Sequence, residues 1–336
     1  MVSGTLLEYL RSSSAVACDT LDVEVAKNLG PFGDCTSNQA IAFIELSKLN
    51  GDGKPLYEDL MRECITTAHW MFPRQAQAKV EELAVELMMV QLSLRFAPYI
   101  TGYLHVQTNP KCSYLTDKTV KNAERILSHF SHFAPEFDTK RVCIKIPATW
   151  EGLQACRELE DRGIATLATT MFCMEQAVLA ADAGCTYIAP YVNELRVHFD
   201  PSYHDTDKGI AFCQQAQFYL ESRACKTTVL AASLTSIDEV MQLAGVHHIT
   251  VSPPLLAELA ASKDQRLKNR GRGFFDDVED SDTYDNVPRD ESGWRMACTR
   301  SKTGKSEGKL IQAINIFADM QDRLEDMVRS FQARIA

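Results

Sequence analysis

Eight short apolar or β-branched runs recur along the chain, and most are separated by stretches long enough to form a helix. The runs cover residues 16–20, 33–36, 103–107, 142–146, 166–172, 186–192, 227–233 and 248–252. The helical stretches cover residues 39–48, 75–95, 117–130, 149–161, 173–183, 208–223, 236–243 and 254–262. Strand and helix alternating eight times is the pattern of an α/β protein whose parallel strands close into a (β/α)8 TIM barrel. The second run is short and is assigned mainly because the count requires it.

The sequence changes character after the eighth unit. Residues 263–309 are rich in Asp, Arg, Gly and Ser, which predicts a charged loop excursion. Residues 310–335 carry apolar side chains at intervals close to multiples of 3.6, which predicts one added C-terminal helix packed on the barrel or on a second subunit. The stripe comprises Leu310, Ile314, Phe317, Leu324, Met327 and Phe331. We therefore expect a single domain over residues 1–336.

The net charge and the cysteines indicate which partners and which cellular compartment this protein has. The formal net charge of -10 argues against nucleic acid or an anionic membrane as partner, because both would be repelled. No stretch has the length or hydropathy of a membrane span, and the first residues lack a signal-peptide pattern. The eleven cysteines are odd in number and form no C-x-x-C pair, so we expect reduced thiols and a cytoplasmic protein.

Lys145 is the strongest candidate for a catalytic side chain. It precedes Ile146 and Pro147, and proline ends a strand because it has no amide proton for the ladder. The lysine therefore lies near the carboxyl end of a strand, where barrel enzymes place catalytic groups. Burial lowers the pKa of an amine, and a neutral amine can attack a carbonyl to form an imine. The motif is equally consistent with a Lys145 that forms a structural ion pair inside the barrel.

Asp19 ends the first run as Lys145 ends the fourth, so both side chains can reach the same barrel mouth. A carboxylate there can move a proton to or from a substrate hydroxyl. The alternative is that Asp19 caps the helix that follows it.

These residues lie in segments that resemble the transaldolase family in the same order along the chain. The segments are residues 19–20, 34–38, 144–152, 189–192, 231–233, 309–310, 313–314 and 317–320. The resemblance implies a class I aldol mechanism in which Lys145 forms the imine, Asp19 is the acid or base, and Thr169 positions a catalytic water. It also implies that Asn38 and Thr36 hold donor hydroxyls, and that no metal or organic cofactor is needed.

Three departures from the family pattern bear on the water and on the imine. Gln107 stands where transaldolases carry a glutamate, and an amide orients water but cannot take its proton. Tyr191 replaces a phenylalanine, and the pair is similar to the fructose-6-phosphate aldolase branch. Leu167 replaces an asparagine near the imine. The alternatives are that Tyr191 is a core aromatic and that Gln107 is a neutral filler.

A further departure concerns phosphate binding. Where the family carries arginines after the sixth and seventh strands, this chain has Glu194 and Thr235, although Ser233 is retained. A unit charge at ~4 Å contributes about 4 kcal/mol at an effective dielectric near 20, so this exchange weakens phosphate binding. Arg196 is a candidate replacement if the loop is rearranged.

The histidines are weaker candidates. His129 and His132 share a helix face that we interpret as solvated, with no third ligand at metal spacing. His105 is close to Gln107 and a candidate for the mouth, whereas the pair at 247–248 precedes the last strand and is interpreted as structural.

Three functional hypotheses follow. The first is a transaldolase-like aldolase acting through Lys145 on a non-phosphorylated or unusual small-molecule carbonyl, as a homo-oligomer such as a dimer. The second is an authentic transaldolase that transfers a dihydroxyacetone unit between sugar phosphates. The third is an inactive barrel used as a binding protein.

Overall fold

The computed structural model describes residues 4–74, 78–263, 278 and 282–335. In these residues eight parallel strands pair in sequence order, and the first pairs with the last to close a barrel. The strands are β1 Ala15–Cys18, β2 Cys35–Thr36, β3 Leu104–Gln107, β4 Val142–Pro147, β5 Thr166–Met171, β6 Tyr187–Pro190, β7 Thr228–Ala231 and β8 His248–Val251. The predicted (β/α)8 barrel is confirmed, including its short second strand.

The predicted helical stretches all contain a helix where the structure describes them, and residues 75–77 lie outside the described part. The described helices are α1 Leu6–Ser13, α2 Val23–Leu29, α3 Gln39–Leu46, α4 Glu58–Met71, α5 Val80–Phe96, α6 Thr116–Phe133, α7 Trp150–Asp161, α8 Met174–Asp182, α9 Ile210–Ser222, α10 Ile237–Gln242, α11 Pro253–Ala261, α12 Glu291–Arg300 and α13 Lys305–Ile335. The sequence did not predict α1, α2, α4 or α12. In the described residues no helix combines the length and hydropathy that a membrane span requires.

The interpretation of residues 263–309 as a loop is wrong for their second half. Helix α12 lies within it, and α13 begins at Lys305 rather than at 310. Asp290 caps α12, and Trp294 and Cys298, spaced by one helical turn, are buried. Two anchoring side chains stabilise this helix although its overall composition is polar. Residues 264–277 and 279–281 lie outside the described residues.

Side chains of β4 alternate between two cores. Cys143 is buried in the cluster inside the barrel, whereas Val142, Ile144 and Ile146 pack in the cluster between strands and helices. Because strand side chains alternate, Lys145 points to the inside with Cys143. The predicted orientation of Lys145 is confirmed.

The amino-terminal half of the barrel holds a polar pair. His105 is 1% exposed, and its Nε2 lies 3.0 Å from Asp34 Oδ2, while its ring contacts Tyr187. Asp34 also accepts a hydrogen bond of 2.7 Å from the amide of Tyr103. The expectation that His105 lines the mouth is therefore wrong, because Asp34 holds it at the opposite half of the barrel.

One of the two histidines on α6 also differs from the prediction. His129 is fully buried, and its Nε2 lies 3.2 Å from Glu86 Oε2 on α5. Arg125 donates to the same carboxylate. His129 thus belongs to a buried contact between α5 and α6, which the sequence of α6 alone could not indicate, whereas His132 is exposed as predicted.

Helix α13 covers the carboxyl end of the barrel. Phe317 is fully buried in the cluster that fills the barrel interior, and Leu310 and Ile314 belong to the same cluster. The first half of the predicted apolar stripe therefore faces the barrel mouth, whereas Leu324 and Phe331 pack in the cluster between strands and helices. This placement makes α13 one wall of the cavity described below.

Candidate active site

A cavity of about 420 Å³ opens at the carboxyl ends of the strands. Its volume and its largely apolar lining are typical of small-molecule sites, and the carboxyl end is where barrel enzymes carry their chemistry. Polar or charged groups on its wall come from Asp19, Thr20, Asn38, Glu45, Lys145, Tyr191, His198, Ser233, Thr250 and Ser252. The apolar wall comprises Ala40, Ile41, Ile44, Leu195, Phe199, Ala232, Leu234, Pro253, Pro254 and Phe317.

Lys145 reaches this cavity from β4 while remaining only 3% exposed. Its strand neighbours in register are Gln107 on β3 and Leu167 on β5. Burial lowers the pKa of the Lys145 amine, against a weaker opposite effect of the Asp19 charge. In the described part of the chain Lys145 forms no ion pair, so the alternative of a structural ion pair finds no partner there. A lowered pKa favours the neutral form of an amine, and a neutral amine at a cavity wall is a competent nucleophile toward a carbonyl.

Asp19 follows β1 directly and lines the same cavity. Its Oδ1 accepts a hydrogen bond of 2.6 Å from Thr36 Oγ1, and Thr36 Oγ1 lies 2.5 Å from Thr250 Oγ1. Because Thr36 uses its only proton on Asp19, Thr250 is the donor to Thr36. The helix cap that was an alternative role for Asp19 is provided by Asp22 instead.

Three polar side chains of the interior lie around the lysine. Gln107 is 1% exposed, and neither its Oε1 nor its Nε2 has a hydrogen-bond partner among the described residues. Thr169 Oγ1 donates to the Tyr191 hydroxyl at 3.4 Å. Burial raises the pKa of Tyr191, so its hydroxyl stays protonated. Tyr191 lines the cavity, whereas Gln107 and Thr169 lie in the barrel wall beside it.

The remaining predicted contacts divide into two kinds. Asn38 and Ser233 line the cavity, and Asn38 also caps α3 by accepting from the amide of Ile41 at 3.0 Å. Thr36 is fully buried and acts on Asp19 rather than on the cavity surface. Leu167 is also fully buried, so it supplies apolar packing beside the lysine.

The sequence model of the Transaldolase/Fructose-6-phosphate aldolase family matches residues 16–326. The chain belongs to this family. The match spans the closed barrel and most of α13, so the resemblance seen in separate segments extends through the whole fold. As a member of the transaldolase family, the protein is an enzyme of the transaldolase and aldolase type.

Curated relatives agree with the family match. The chain is 30% identical to a transaldolase of Acidobacterium capsulatum over 342 aligned positions, covering 97% of this chain and 98% of the relative. It is 31% identical to a transaldolase of Chlamydia felis, with 98% and 97% covered. A transaldolase of Methylococcus capsulatus is 30% identical over 79% of this chain and 80% of its own length.

Three predicted substrate contacts of this transaldolase family member lie outside the cavity. Glu194 Oε1 accepts from Gln312 Nε2 on α13 at 3.0 Å, and Thr235 Oγ1 donates to Glu239 at 3.1 Å. Arg196 pairs with an aspartate four residues later and is exposed. Because their side chains are held by these partners, we exclude Glu194, Thr235 and Arg196 from the proposed site.

The site also contains side chains that the sequence did not single out. His198 lines the cavity, and its Nε2 lies 3.0 Å from Ser233 Oγ. Burial lowers the pKa of His198, against weaker opposite effects of Asp19 and Glu239. The signal for His198 was its position in the loop after β6, where barrel enzymes carry functional groups. Phe317 had no comparable signal beyond the apolar stripe of α13.

Proposed function

We propose that this enzyme makes or breaks a carbon-carbon bond through a Schiff base on Lys145, with a non-phosphorylated carbonyl compound as substrate. One observation carries the proposal: the buried Lys145 amine and the Asp19 carboxylate share a single cavity. Family membership supports the type of reaction, and the position of these two side chains in one cavity supports their proposed roles.

The proposed reaction begins with formation of an imine on Lys145 and ends with its hydrolysis. The neutral Lys145 amine adds to the substrate ketone, and loss of water leaves a protonated imine. Asp19 accepts the proton of the β-hydroxyl as the adjacent carbon-carbon bond breaks, which releases an aldehyde and leaves an enamine. The enamine then takes a proton, or attacks a second aldehyde in the transfer reaction. Water finally adds to the imine, releases the ketone and restores the amine.

The other polar groups have supporting roles in this proposal. The hydrogen bond from Thr36 fixes the Asp19 carboxylate in one orientation. Gln107, Tyr191 and Thr169 orient the water that hydrolyses the imine, because an amide and two hydroxyls can donate and accept. Asn38 and Ser233 bind hydroxyl or carbonyl oxygens of the substrate. The protonated imine is itself the electron sink, so the proposal includes no metal or organic cofactor.

The preference for a non-phosphorylated substrate rests on charge. The described residues that line the cavity include two acidic side chains, Asp19 and Glu45. They include one lysine, Lys145, and no arginine. A phosphate would meet the Asp19 carboxylate, while Glu45 pairs with Lys48 at 2.8 Å and burial lowers the pKa of the Lys145 amine. Repulsion from even one carboxylate near ~4 Å is worth roughly 4 kcal/mol at an effective dielectric of 20.

Borohydride trapping tests the covalent step directly. The protein is incubated with dihydroxyacetone, hydroxyacetone or fructose 6-phosphate, reduced with borohydride, and digested for mass spectrometry. We expect the added mass on Lys145, loss of the adduct in Lys145→Met, and retention in Lys121→Met, whose lysine is exposed on α6. An unmodified Lys145 with every donor would refute the proposal and favour the non-catalytic binding hypothesis.

Transfer between sugar phosphates is a second candidate function. Its support is that relatives covering nearly the full chain carry the name transaldolase. Efficient transfer from fructose 6-phosphate to erythrose 4-phosphate would favour it. We expect this transfer to be slow in comparison with reactions of uncharged substrates, and an ordinary rate would refute the charge argument while leaving the role of Lys145 intact.

A further inference from the structure

The cavity around Lys145 has two chemically distinct zones. Lys145, Asp19 and Tyr191 lie at the ends of the strands and are buried or half-buried. Farther out, α3 contributes Ile44, which is 64% exposed, and the loop after β6 contributes Phe199, which is 40% exposed. Both large apolar side chains line the cavity while facing solvent. The outer zone is therefore an apolar wall continuous with the reactive amine.

The charged groups near this outer zone are already neutralised. Glu45 lines the cavity, but its carboxylate accepts from the Tyr57 hydroxyl at 2.5 Å and pairs with Lys48 at 2.8 Å. Desolvation lowers the pKa of His198, which favours the neutral ring, and its Nε2 lies 3.0 Å from Ser233 Oγ.

The nearest arginine in the loop after β6 is also committed elsewhere. Arg196 holds Asp200 at 2.7 Å, and its guanidinium lies 4.5 Å from the ring centre of Tyr203. Among the described lining residues, none offers a cation that would bind a phosphate in the outer zone.

Hydrogen-bonding groups between the zones are also partly occupied. Ser233 Oγ lies at hydrogen-bond distance from His198 Nε2, and Asn38 Oδ1 accepts from a backbone amide. A polyhydroxylated chain placed against Ile44, Phe199 and Leu234 would lose hydrogen bonds to water without replacing them. Such desolvation is unfavourable, whereas an apolar group gains free energy in the same place.

We propose that the outer zone binds a hydrocarbon substituent, aryl or branched alkyl, of the aldehyde that is released or consumed by the enzyme. This inference rests on the proposed Schiff-base function and adds the substrate class. The ketone end occupies the inner zone with Lys145 and Asp19, and the apolar substituent contacts Ile44, Phe199 and Leu234. The cavity of about 420 Å³ lies within the size range of sites for such ligands.

An acceptor panel tests this specificity. With dihydroxyacetone or hydroxyacetone as donor, kcat/KM is measured for benzaldehyde, 3-methylbutanal, glyceraldehyde and glyceraldehyde 3-phosphate. We expect the two apolar aldehydes to exceed both polar ones by about tenfold or more, as the burial of several carbon atoms predicts. Equal or inverted preferences would overturn the inference.

Borohydride trapping of the donor separates this failure from failure of the proposed function, because the trapped adduct forms without any acceptor. An adduct on Lys145 without an apolar preference overturns the substrate class alone. Absence of any adduct overturns the Schiff-base function and the inference together.

Substitutions at the outer wall supply a second measurement. Phe199→Ser and Ile44→Ser should lower the ratio of kcat/KM for benzaldehyde to kcat/KM for glyceraldehyde about tenfold, mainly through the KM for benzaldehyde. Both residues are solvent-exposed, so folding should tolerate the change. Leu49→Ser is the matched control, because Leu49 is 63% exposed and lies outside the cavity. An unchanged benzaldehyde preference in both cavity variants would contradict the proposed contact.

Discussion

Gln107 lies directly opposite Lys145 on adjacent parallel strands, and its amide has no hydrogen-bond partner among the described residues. A buried amide without a hydrogen-bond partner costs on the order of 1–3 kcal/mol. The side chain of Gln107 therefore lowers the stability of the folded protein. A water or substrate oxygen beside the lysine would satisfy the amide. We therefore expect Gln107 to act during the reaction rather than in stabilising the barrel.

Gln107→Glu tests this proximity through pH dependence. A carboxylate next to Lys145 favours the charged amine, so the pKa of the lysine should rise and activity should need a higher pH. We expect the pH of half-maximal kcat/KM to increase by about one unit or more. The profile is measured with an uncharged donor and acceptor, with Gln91→Glu on α5 as control. Identical profiles for the two variants would show that residue 107 does not influence the amine.

Lys145→Met should increase stability while abolishing the trapped adduct. Burial lowers the pKa of Lys145 from its ordinary value of 10.5, so the unfolded chain binds more protons than the folded chain between the two pKa values. The resulting destabilisation is complete below the lowered pKa and disappears as pH rises toward the ordinary value. We expect a gain of roughly 1–3 kcal/mol in the free energy of unfolding at neutral pH.

Denaturant unfolding of wild type and Lys145→Met at several pH values measures this gain. The difference between the two proteins should narrow as pH rises, because the amine then becomes neutral in both states. Lys121→Met should leave stability and activity near wild type. A less stable Lys145→Met at every pH would mean that the amine makes a favourable buried interaction.

Thr36→Val should impair catalysis without changing the volume that the side chain occupies in the core. Valine keeps the shape of threonine but cannot donate to Asp19, so the carboxylate loses a hydrogen bond of 2.6 Å. We expect kcat/KM to fall roughly tenfold or more, with recovery in Thr36→Ser. Thr66→Val, which removes an exposed hydroxyl on α4, is the control. Full activity in Thr36→Val would show that Asp19 does not depend on this contact.

Asp34→Asn should lower stability with little effect on the rate per folded molecule, because Asp34 lies in the opposite half of the barrel from the cavity. Burial by itself raises the pKa of Asp34, but the hydrogen bond and charge of His105 and the amide of Tyr103 lower it below 3.8 overall. Its stabilisation is present above the ordinary pKa and is lost as pH falls through the lowered value.

At neutral pH we expect Asp34→Asn to lower the free energy of unfolding by about 1–3 kcal/mol. The loss should shrink in strong acid, where the wild-type carboxyl is protonated. Asp52→Asn, at an exposed turn, provides the comparison. Equal stability of wild type and Asp34→Asn at neutral pH would contradict the favourable Asp34–His105 contact.

Alternation of apolar runs was sufficient to predict the barrel, because each strand and its helix are local patterns. The inward orientation of Lys145 also follows from local rules, namely strand alternation and the proline that ends β4. Helix α12 could not be predicted, because its own composition is polar and Trp294 and Cys298 stabilise it through contacts with distant elements.

The cavity wall was predictable only where it coincides with strand ends. Asp19, Lys145 and Tyr191 are at or directly after strands, and the structure brings them together. Glu194 illustrates the opposite case, since its side chain turns to Gln312, which is distant in the sequence. The sequence places a residue near the mouth but does not specify which way a loop side chain points.

Phe317 on α13 and Asp19 after β1 form parts of one cavity although they come from opposite ends of the chain. A compound that contacts both side chains binds only when α13 and β1 are in place. Its binding energy therefore opposes local unfolding of either element. Protection of α13 from proteolysis or amide exchange therefore becomes a readout of ligand occupancy. It would allow candidate carbonyl compounds to be screened before any product is known.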